Sequence, residues 1–197
     1  KYKNIHFKDI RFNSKECKPN DIFFAIQGNN YDGNKYIYDA INNGAKIIVS
    51  NLRLRSTKTK KVLFIHSKDT RKMLSEISSQ LYNLKPNNII AVTGTNGKTS
   101  IANFYQQILS LNNKKVASIG TLGVLSKQLN LKTNNTTIDS VNIHKILQKL
   151  KKLRVNNVII EASSHGLKQQ RLNNIKFKTV LFTNLSRDHL DYHKTIK

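Results

Sequence analysis

Residues 87–100 have the sequence NNIIAVTGTNGKTS. Asn88–Val92 is a short apolar run typical of a buried strand, and it leads directly into the glycine-rich segment Thr93–Thr99. The next residues predict a helix whose inward face carries Ile101, Phe104, Ile108 and Leu111. Strand, glycine-rich loop and helix in this order indicate a phosphate-binding loop, because the glycines let backbone N–H groups face a phosphate and the helix N-terminus adds a positive dipole.

The residue types of this loop assign roles to two side chains. Lys98 is expected on the outer phosphates, and the Thr99 hydroxyl is expected to ligate Mg²⁺. The strict pattern G-x-x-x-x-G-K-[ST] is not matched, because its first glycine falls on Val92, so the shorter Gly94-x-x-Gly97-Lys98-Thr99 remains. An ordinary glycine-rich turn is the alternative. The strand before the loop and the helix after it favour phosphate binding.

The segment after the loop alternates strands and helices. An amphipathic helix is predicted at Asp139–Leu153, with Ile143, Ile146, Leu147, Leu150 and Leu153 on one face. Strands are predicted at Lys115–Ile119, Asn157–Ala162 and Thr179–Asn184, the last two buried. This alternation favours a parallel sheet with helices on both faces.

The segment before the loop predicts a separate, smaller α/β unit. Its strands are expected at Asp21–Ile26, Lys46–Ser50 and Val62–His66. Its helices are expected at Tyr36–Asn43, closed by Gly44, and after Asp69, with Leu74, Ile77 and Leu81 on one face. Pro86 and two asparagines interrupt the pattern. The predicted fold class is therefore α/β: a small N-terminal α/β domain at 1–86, then part of a P-loop-type parallel-sheet ATPase domain at 87–197.

Polar residues follow two of the predicted strands. Glu161 ends one strand and precedes Ser163-Ser164-His165-Gly166, so its carboxylate is expected to face solvent beside the phosphate loop. After the next strand, Asp188, His189, Asp191 and His193 form a candidate second metal site, where a histidine ligand suggests tolerance for Mn²⁺. A serine hydrolase is disfavoured, because the G-x-S-x-G motif is absent.

Composition restricts the other classes of function. The chain has 34 Lys+Arg against 11 Asp+Glu, a formal net charge of +23, which leaves a nucleic-acid partner open. However, the basic residues are spread along the chain, and aromatic residues do not alternate with the clusters Lys58–Lys61 and Lys149–Arg154. The single Cys17 excludes a disulfide framework and fits a reducing cytoplasm. The chain has no run of 18 apolar residues, so no transmembrane helix is predicted.

Three segments together, Thr93–Thr99, Glu161–Gly166 and Thr183–His193, resemble the Mur ligases. The segment Asn184–His193 resembles the corresponding segment of the Mur ligases that add the third residue of the peptidoglycan stem peptide. This segment distinguishes that branch from the other Mur ligases and from folylpolyglutamate synthetase. The resemblance covers essentially the whole chain. It implies a uridine-binding N-terminal domain followed by the first half of a central ATPase domain.

The resemblance also implies a role for each matching residue. The catalytic residues would be Lys98, Glu161 and His189, and the metal ligands Thr99, Glu161 and His189. ATP phosphates would be held by Gly94, Thr95, Asn96, Gly97, Lys98 and Thr99. The muramoyl-dipeptide substrate would contact Asn135, Thr136, Thr137, Ser163, Gln169 and Arg171, and its uridine Phe12, Ser14, Asn29, Asn30 and Tyr31. The chain departs from the family pattern at Asn13, Lys15, Asn29 and Lys194.

The implied reaction is ATP- and Mg²⁺-dependent formation of a C–N bond in peptidoglycan synthesis. UDP-N-acetylmuramoyl-L-alanyl-D-glutamate would form an acyl phosphate, and an amino-acid substrate would then displace the phosphate. The expected amino acid is meso-diaminopimelate rather than L-lysine. We expect a cytoplasmic monomer without a nucleic-acid partner or membrane insertion.

The chain opens on Lys1 rather than methionine and stops just after a motif, so it is expected to be a fragment that does not turn over alone. The resemblance places a carbamylated lysine beyond Lys197, together with the C-terminal domain that selects the amino acid. Two alternatives remain open: another P-loop enzyme such as a kinase, and a basic nucleic-acid-binding module.

Overall fold

The computed structural model describes residues 6–28, 31–54 and 62–186. The chain folds into two compact units, Lys1–Leu74 and Ser75–Lys197. The division between them falls inside one helix, Thr70–Leu81, so it does not define a domain boundary. The domains 1–86 and 87–197 therefore stay a proposal.

The first unit contains a four-stranded parallel sheet in the order β1-β2-β3-β4. Its elements are β1 (Ile10–Arg11), β2 (Ile22–Phe24), α1 (Ile37–Asn42), β3 (Ile47–Ser50) and β4 (Leu63–His66), with 3-10 turns at Ser14–Glu16 and Gly33–Tyr36. Phe23, Ala40 and Ile48 are buried in its core. Helix α1 ends before Gly44, whose φ of +106° suits a left-handed helix stop. The predicted strands and helix are thus observed, one to three residues shorter.

Helix α2 (Thr70–Leu81) begins as predicted after Asp69, whose side chain accepts the Lys72 N–H at 2.9 Å. Its predicted apolar face is only partly correct. Leu74 is buried, but Leu81 is 38% exposed and Ser75 is buried instead. Ser75 Oγ donates to the Asn173 carbonyl at 2.7 Å, so a polar contact helps orient the helix.

The second unit contains a five-stranded sheet in the order β7-β6-β8-β5-β9, parallel except for the β6–β7 hairpin. Its elements are β5 (Asn88–Thr93), α3 (Lys98–Leu111), β6 (Val116–Gly120), β7 (Gly123–Leu125), α4 (Ser140–Lys152), β8 (Asn157–Glu161), α5 (Ser164–Lys168) and β9 (Thr179–Phe182). Ile159 packs in the cluster of Ala102 on α3, and Ile160 in that of Leu147 on α4. Because neighbouring strand residues point to opposite faces, helices cover both sides of the sheet, as predicted.

The predicted apolar face of α4 is confirmed. Ile143, Leu147 and Leu150 are fully buried, and Ile146 and Leu153 pack against the same cluster. The helix begins after Asp139, whose carboxylate accepts the N–H groups of residues 141 and 142 at 3.1 and 2.9 Å.

The predicted inward face of α3 is largely wrong. Phe104, Ile108 and Leu111 are 59%, 58% and 83% exposed, whereas Ala102 is buried. The rotation of the helix is set at its first turn, where Thr99 faces Glu161. Ala102 lies three residues later on the same side and therefore meets the sheet.

Strand β9 was expected to be buried, and this prediction is wrong. All four of its residues are exposed. Among the described residues β9 pairs only with β5 and forms the edge of the sheet. In the described part of the chain, no helix is long and apolar enough to cross a bilayer.

Candidate active site

The phosphate loop lies between β5 and α3, as the sequence predicts. Gly94 and Gly97 have φ values of +129° and +84°, a region that favours glycine. The Lys98 side chain folds back over the loop, where its Nζ donates to the carbonyls of Gly94 and Thr95 at 2.6 and 2.7 Å. Lysine is therefore held at the loop that the motif assigns to phosphate.

The residues after β9 hold this loop in place. The Asn184 carbonyl accepts the Thr95 N–H and its Oδ1 accepts the Asn96 N–H, both at 3.0 Å. Thr183 Oγ1 donates to the Asn96 carbonyl at 2.7 Å. Two of the expected phosphate-binding N–H groups thus bond to the protein. The first N–H groups of α3, which have no partner within a helix, start directly after Gly97.

Glu161 lies at the carboxyl end of β8, next to the first turn of α3. Thr99 Oγ1 donates to its Oε2 at 2.8 Å. The expectation that this carboxylate faces solvent is wrong: Glu161 is only 2% exposed, because Gly120 and Thr121 at the end of β6 pack over it. Its closeness to the phosphate loop is as expected.

The oxygen atoms of Thr99 and Glu161 fit a hard divalent cation, since hydroxyl and carboxylate oxygens are the ligands that Mg²⁺ prefers. Over residues 6–28, 31–54 and 62–186 there is no cluster of three or more His, Cys, Asp or Glu side chains suited to a metal. The third expected ligand, His189, lies outside the described residues, as do Asp188, Asp191 and His193.

Thr137, one of the predicted substrate residues before α4, lies beside Glu161. The Thr137 side chain is buried, donating to the Glu161 carbonyl at 2.8 Å and accepting the Ser163 N–H at 2.8 Å. Ser163 Oγ lies 2.9 Å from Thr137 Oγ1 and accepts the Gly166 N–H at the start of α5. Asn135 is exposed in the same loop. Thr137 and Ser163 therefore join the end of β8 to the loop before α4.

Arg171 is fixed by the neighbouring substrate residues. Its Nη1 donates to the Thr137 carbonyl at 2.5 Å, and its Nε and Nη2 donate to Gln169 Oε1 at 3.1 and 2.8 Å. The structure thus brings Gln169, Arg171 and Thr137 together, although they are up to 34 positions apart in sequence.

The expected uridine residues lie in the first unit. Phe12 directly follows β1, and Tyr31 follows β2, so both lie beyond carboxyl ends of the parallel sheet. Tyr31 is 53% exposed and stacks on Tyr36 with ring centroids 5.0 Å apart. Ser14 is buried, and Asn29 and Asn30 lie outside the described residues.

Thr121 is a site residue that the sequence analysis missed. Its N–H donates to Glu161 Oε1 at 3.1 Å, and its Oγ1 lies 3.1 Å from Glu161 Oε2 and 3.0 Å from Thr136 Oγ1. The available signal was its position directly after β6, a parallel strand whose carboxyl end meets the same edge of the sheet as Glu161.

Family comparisons agree with this arrangement. The family model described as "Mur ligase middle domain" matches residues 92–197, and "Mur ligase family, catalytic domain" matches residues 4–82. The chain belongs to the Mur ligase family. The resemblance inferred from the phosphate loop and the two later segments is thereby confirmed.

Curated Mur ligases are similar along nearly the whole chain. UDP-N-acetylmuramoyl-L-alanyl-D-glutamate–2,6-diaminopimelate ligase of Rickettsia prowazekii is 41% identical over 98% of this chain and 41% of its own length. The protein of the same name from Rhizobium meliloti is 39% identical over 98% of this chain and 39% of its own length. The chain thus spans about 40% of the length of these relatives.

Solved Mur ligases share the fold. A structure of UDP-N-acetylmuramoyl-L-alanyl-D-glutamate–2,6-diaminopimelate ligase matches with a TM-score of 0.79 and 32% identity, covering 96% of this chain and 38% of the other. The MurF ligase from Thermotoga maritima, in complex with ADP, matches with a TM-score of 0.63 and 19% identity, covering 98% and 41%. The predicted α/β fold class is confirmed.

Proposed function

We propose that this Mur ligase family chain belongs to an ATP-dependent ligase that adds meso-diaminopimelate to UDP-N-acetylmuramoyl-L-alanyl-D-glutamate. One observation carries the proposal: the phosphate loop and the predicted dipeptide residue Thr137 meet at the same residue, Glu161. Thr99 donates to the Glu161 side chain, and Thr137 donates to the Glu161 backbone carbonyl. A phosphoryl donor bound at the phosphate loop and a substrate carboxylate bound near Thr137 would therefore be adjacent. The names of the similar curated relatives support the choice of substrate and amino acid.

ATP fits the phosphate loop. A Cβ atom on Gly97 would meet nothing within 4 Å, so there is open space in front of the α3 N-terminus. Lys98 Nζ carries three N–H donors, of which two bond to loop carbonyls. The third can serve a phosphate oxygen, together with the first N–H groups of α3.

Thr99 and Glu161 would hold Mg²⁺, which when bound neutralises charge on the phosphoryl group. In the proposed reaction an oxygen of the D-glutamyl side-chain carboxylate forms a bond to the γ-phosphorus, and the bond from that phosphorus to ADP breaks. The amine of the incoming amino acid then attacks the acyl carbon. Phosphate leaves and the amine loses a proton.

The chain's own residues would contribute orientation. Arg171 carries a positive charge beside the Thr137 carbonyl, where a substrate carboxylate would be attracted. Ser163 adds a hydroxyl group 2.9 Å from that of Thr137, and Thr136 adds one at the neighbouring position of the chain. Holding the carboxylate in line with the phosphoryl group can lower the barrier by several kcal/mol, roughly 7–11 at best. We also propose a cytoplasmic location, because the reaction consumes ATP and a nucleotide-linked precursor.

Calorimetric titration of the chain with UDP-N-acetylmuramoyl-L-alanyl-D-glutamate tests this proposal. UDP alone is the reference ligand, and each titration is run at low and moderate salt. We expect saturable binding that is tighter than that of UDP and is retained at moderate salt. Arg171→Ala should weaken binding of the dipeptide ligand about tenfold, whereas Lys152→Ala, which removes the same charge from an exposed position on α4, should not.

Two outcomes would contradict the proposal. Equal affinity for UDP and the dipeptide ligand would show that the dipeptide contacts are absent. Weak binding that disappears with added salt, together with salt-sensitive binding of DNA, would indicate a basic nucleic-acid-binding module instead.

A further inference from the structure

Thr121 connects the two halves of the candidate active site. It occupies the turn between β6 and β7, where its backbone N–H and its hydroxyl reach different oxygens of Glu161, each at 3.1 Å. Two donors on two oxygens restrict rotation of the carboxylate about its last bond. Thr99 adds a third hydrogen bond to the carboxylate, at Oε2.

The hydroxyl of Thr121 has a single proton, which determines the direction of the network. An ionised carboxylate only accepts hydrogen bonds, so this proton is directed to Glu161. Thr136 Oγ1, 3.0 Å away, must then donate to Thr121 Oγ1. The hydroxyl of Thr136, a predicted substrate residue, is therefore oriented through Thr121.

The hydrogen bonds from Thr121 matter because the Glu161 carboxylate is buried. Glu161 is 2% exposed, and a buried carboxylate requires hydrogen-bond donors to compensate for lost water. Of the three donors to the carboxylate described above, two belong to Thr121. Thr121 lies in the β6–β7 hairpin, outside both the phosphate loop and the loop before α4.

We infer that Thr121 is a positioning residue that sets the orientation of Glu161 toward Mg²⁺ and links nucleotide binding to binding of the muramoyl dipeptide through Thr136. This inference rests on the proposed function, because it assigns a role within the same site. Thr121 orients other side chains and does not itself take part in bond making.

Thr121→Val tests the inference, because valine keeps the shape of threonine and the backbone N–H but lacks the hydroxyl. Thr121→Ser restores the hydroxyl, and Thr133→Val is the matched control. Thr133 Oγ1 lies 3.4 Å from the carbonyls of Gly120 and Asn135, so it is a neighbouring threonine outside the Glu161 contacts. Thermal melting establishes that each variant folds.

The first measurement is the Kd of ADP in excess Mg²⁺ and in EDTA. We expect Thr121→Val to raise the Kd about tenfold in Mg²⁺ and less than twofold in EDTA, with Thr121→Ser and Thr133→Val within twofold of the parent chain in both. A merely structural role would raise both constants together. Equal behaviour of Thr121→Val and the parent chain would overturn the inference, as would Thr121→Ser being as defective as Thr121→Val, or a parent chain that binds no Mg²⁺–ADP.

The second measurement is the affinity for UDP-N-acetylmuramoyl-L-alanyl-D-glutamate with and without saturating Mg²⁺–ADP. In the parent chain we expect the two ligands to change each other's affinity, and in Thr121→Val this coupling should be lost. Coupling that survives in Thr121→Val would contradict the link through Thr136. If the parent chain binds Mg²⁺–ADP but not the dipeptide ligand, the proposed function fails, whereas the role of Thr121 toward Glu161 is still decided by the first measurement.

Discussion

Gly120 packs directly against the side chain of Glu161. A Cβ atom at Gly120 would lie 2.5 Å from Glu161 Cγ and closer still to its Oε1, a separation that real Cβ atoms do not show. Gly120 is therefore the residue that allows β6 to approach the carboxylate at the end of β8. The same approach brings the Thr121 N–H within 3.1 Å of Oε1.

Gly120→Ala should displace the Glu161 carboxylate and weaken binding of Mg²⁺–ADP. We expect the Kd to rise at least tenfold in Mg²⁺, which corresponds to about 1.4 kcal/mol, with a smaller change in EDTA. Isothermal titration under both conditions measures this. Unchanged affinity of a folded Gly120→Ala variant in Mg²⁺ would show that the close packing has no bearing on cation binding.

Lys98→Ala should weaken nucleotide binding through two effects. It removes the cation expected on the phosphates and the two hydrogen bonds to the carbonyls of Gly94 and Thr95. We expect a 10- to 100-fold higher Kd for ADP, from about one or two charge-assisted bonds. Lys152→Ala is the control for the lost charge. If both variants raised the Kd of ADP equally, the change would be due to net charge alone.

Thr137→Val should destabilise the fold. The substitution leaves the Ser163 N–H without its acceptor and leaves the carbonyl of the buried Glu161 without this donor. An unsatisfied buried group costs about 1–3 kcal/mol, which urea denaturation can measure. Thr137→Ser keeps the hydroxyl and should recover most of the loss. If Thr137→Val left the free energy of unfolding unchanged, this threonine would not be a structural link.

His144 predicts a pH dependence of stability. It is fully buried on α4. Burial and, to a smaller extent, the positive charge of Lys85 lower its pKa to about 4, against an opposing effect of the Asn173 backbone. In the unfolded chain the pKa is about 6.5.

Between these two pKa values the unfolded chain binds a proton that the folded chain does not, so the free energy of unfolding falls as the pH decreases from about 6.5 to about 4. Lowering the pH from 7.5 to 5 should therefore reduce the free energy of unfolding by about 2 kcal/mol through His144. His144→Phe should lose that part of the slope, whereas substitution of His66, exposed at the end of β4, should keep it. Equal slopes in His144→Phe and the parent chain would contradict the assignment.

Cys17 should react slowly with thiol reagents in the folded chain. Burial raises its pKa to about 11, and the negative charge of Asp21 adds to the shift. Because the thiolate is the reactive form, the reactive fraction at pH 8 should be about a hundredth of that of an ordinary cysteine at most. Iodoacetamide labelling in buffer and in urea measures the contrast, and equal rates would show that the thiol is accessible.

Local sequence was sufficient for the elements with clear periodicity and end signals. The α4 helix has five apolar residues at helical spacing, and this face is observed as predicted, although the helix begins after Asp139 rather than at it. The phosphate loop was predictable because glycines, lysine and threonine at this spacing between a strand and a helix satisfy a local backbone requirement. Family membership followed from the same local motifs.

Tertiary structure decided which face of each element is covered. Helix α3 is apolar on more than one side, so periodicity favoured Phe104 and Ile108, whereas the contact between Thr99 and Glu161 directs Ala102 to the sheet. Strand β9 is as apolar as a central strand, yet it lies at the edge of the described sheet. Neither outcome depends on local propensity, because each is set by neighbours distant in sequence.

The α/β class, the phosphate loop and the family could be predicted from the amino-acid sequence, since they depend on residue types within short segments. The burial of Glu161, and the hydrogen bonds that both of its oxygens accept from Thr121 40 positions earlier, follow from packing between distant segments. The parallel sheet brings the ends of β6 and β8 together, and hydrogen bonding depends on that distance rather than on spacing along the chain.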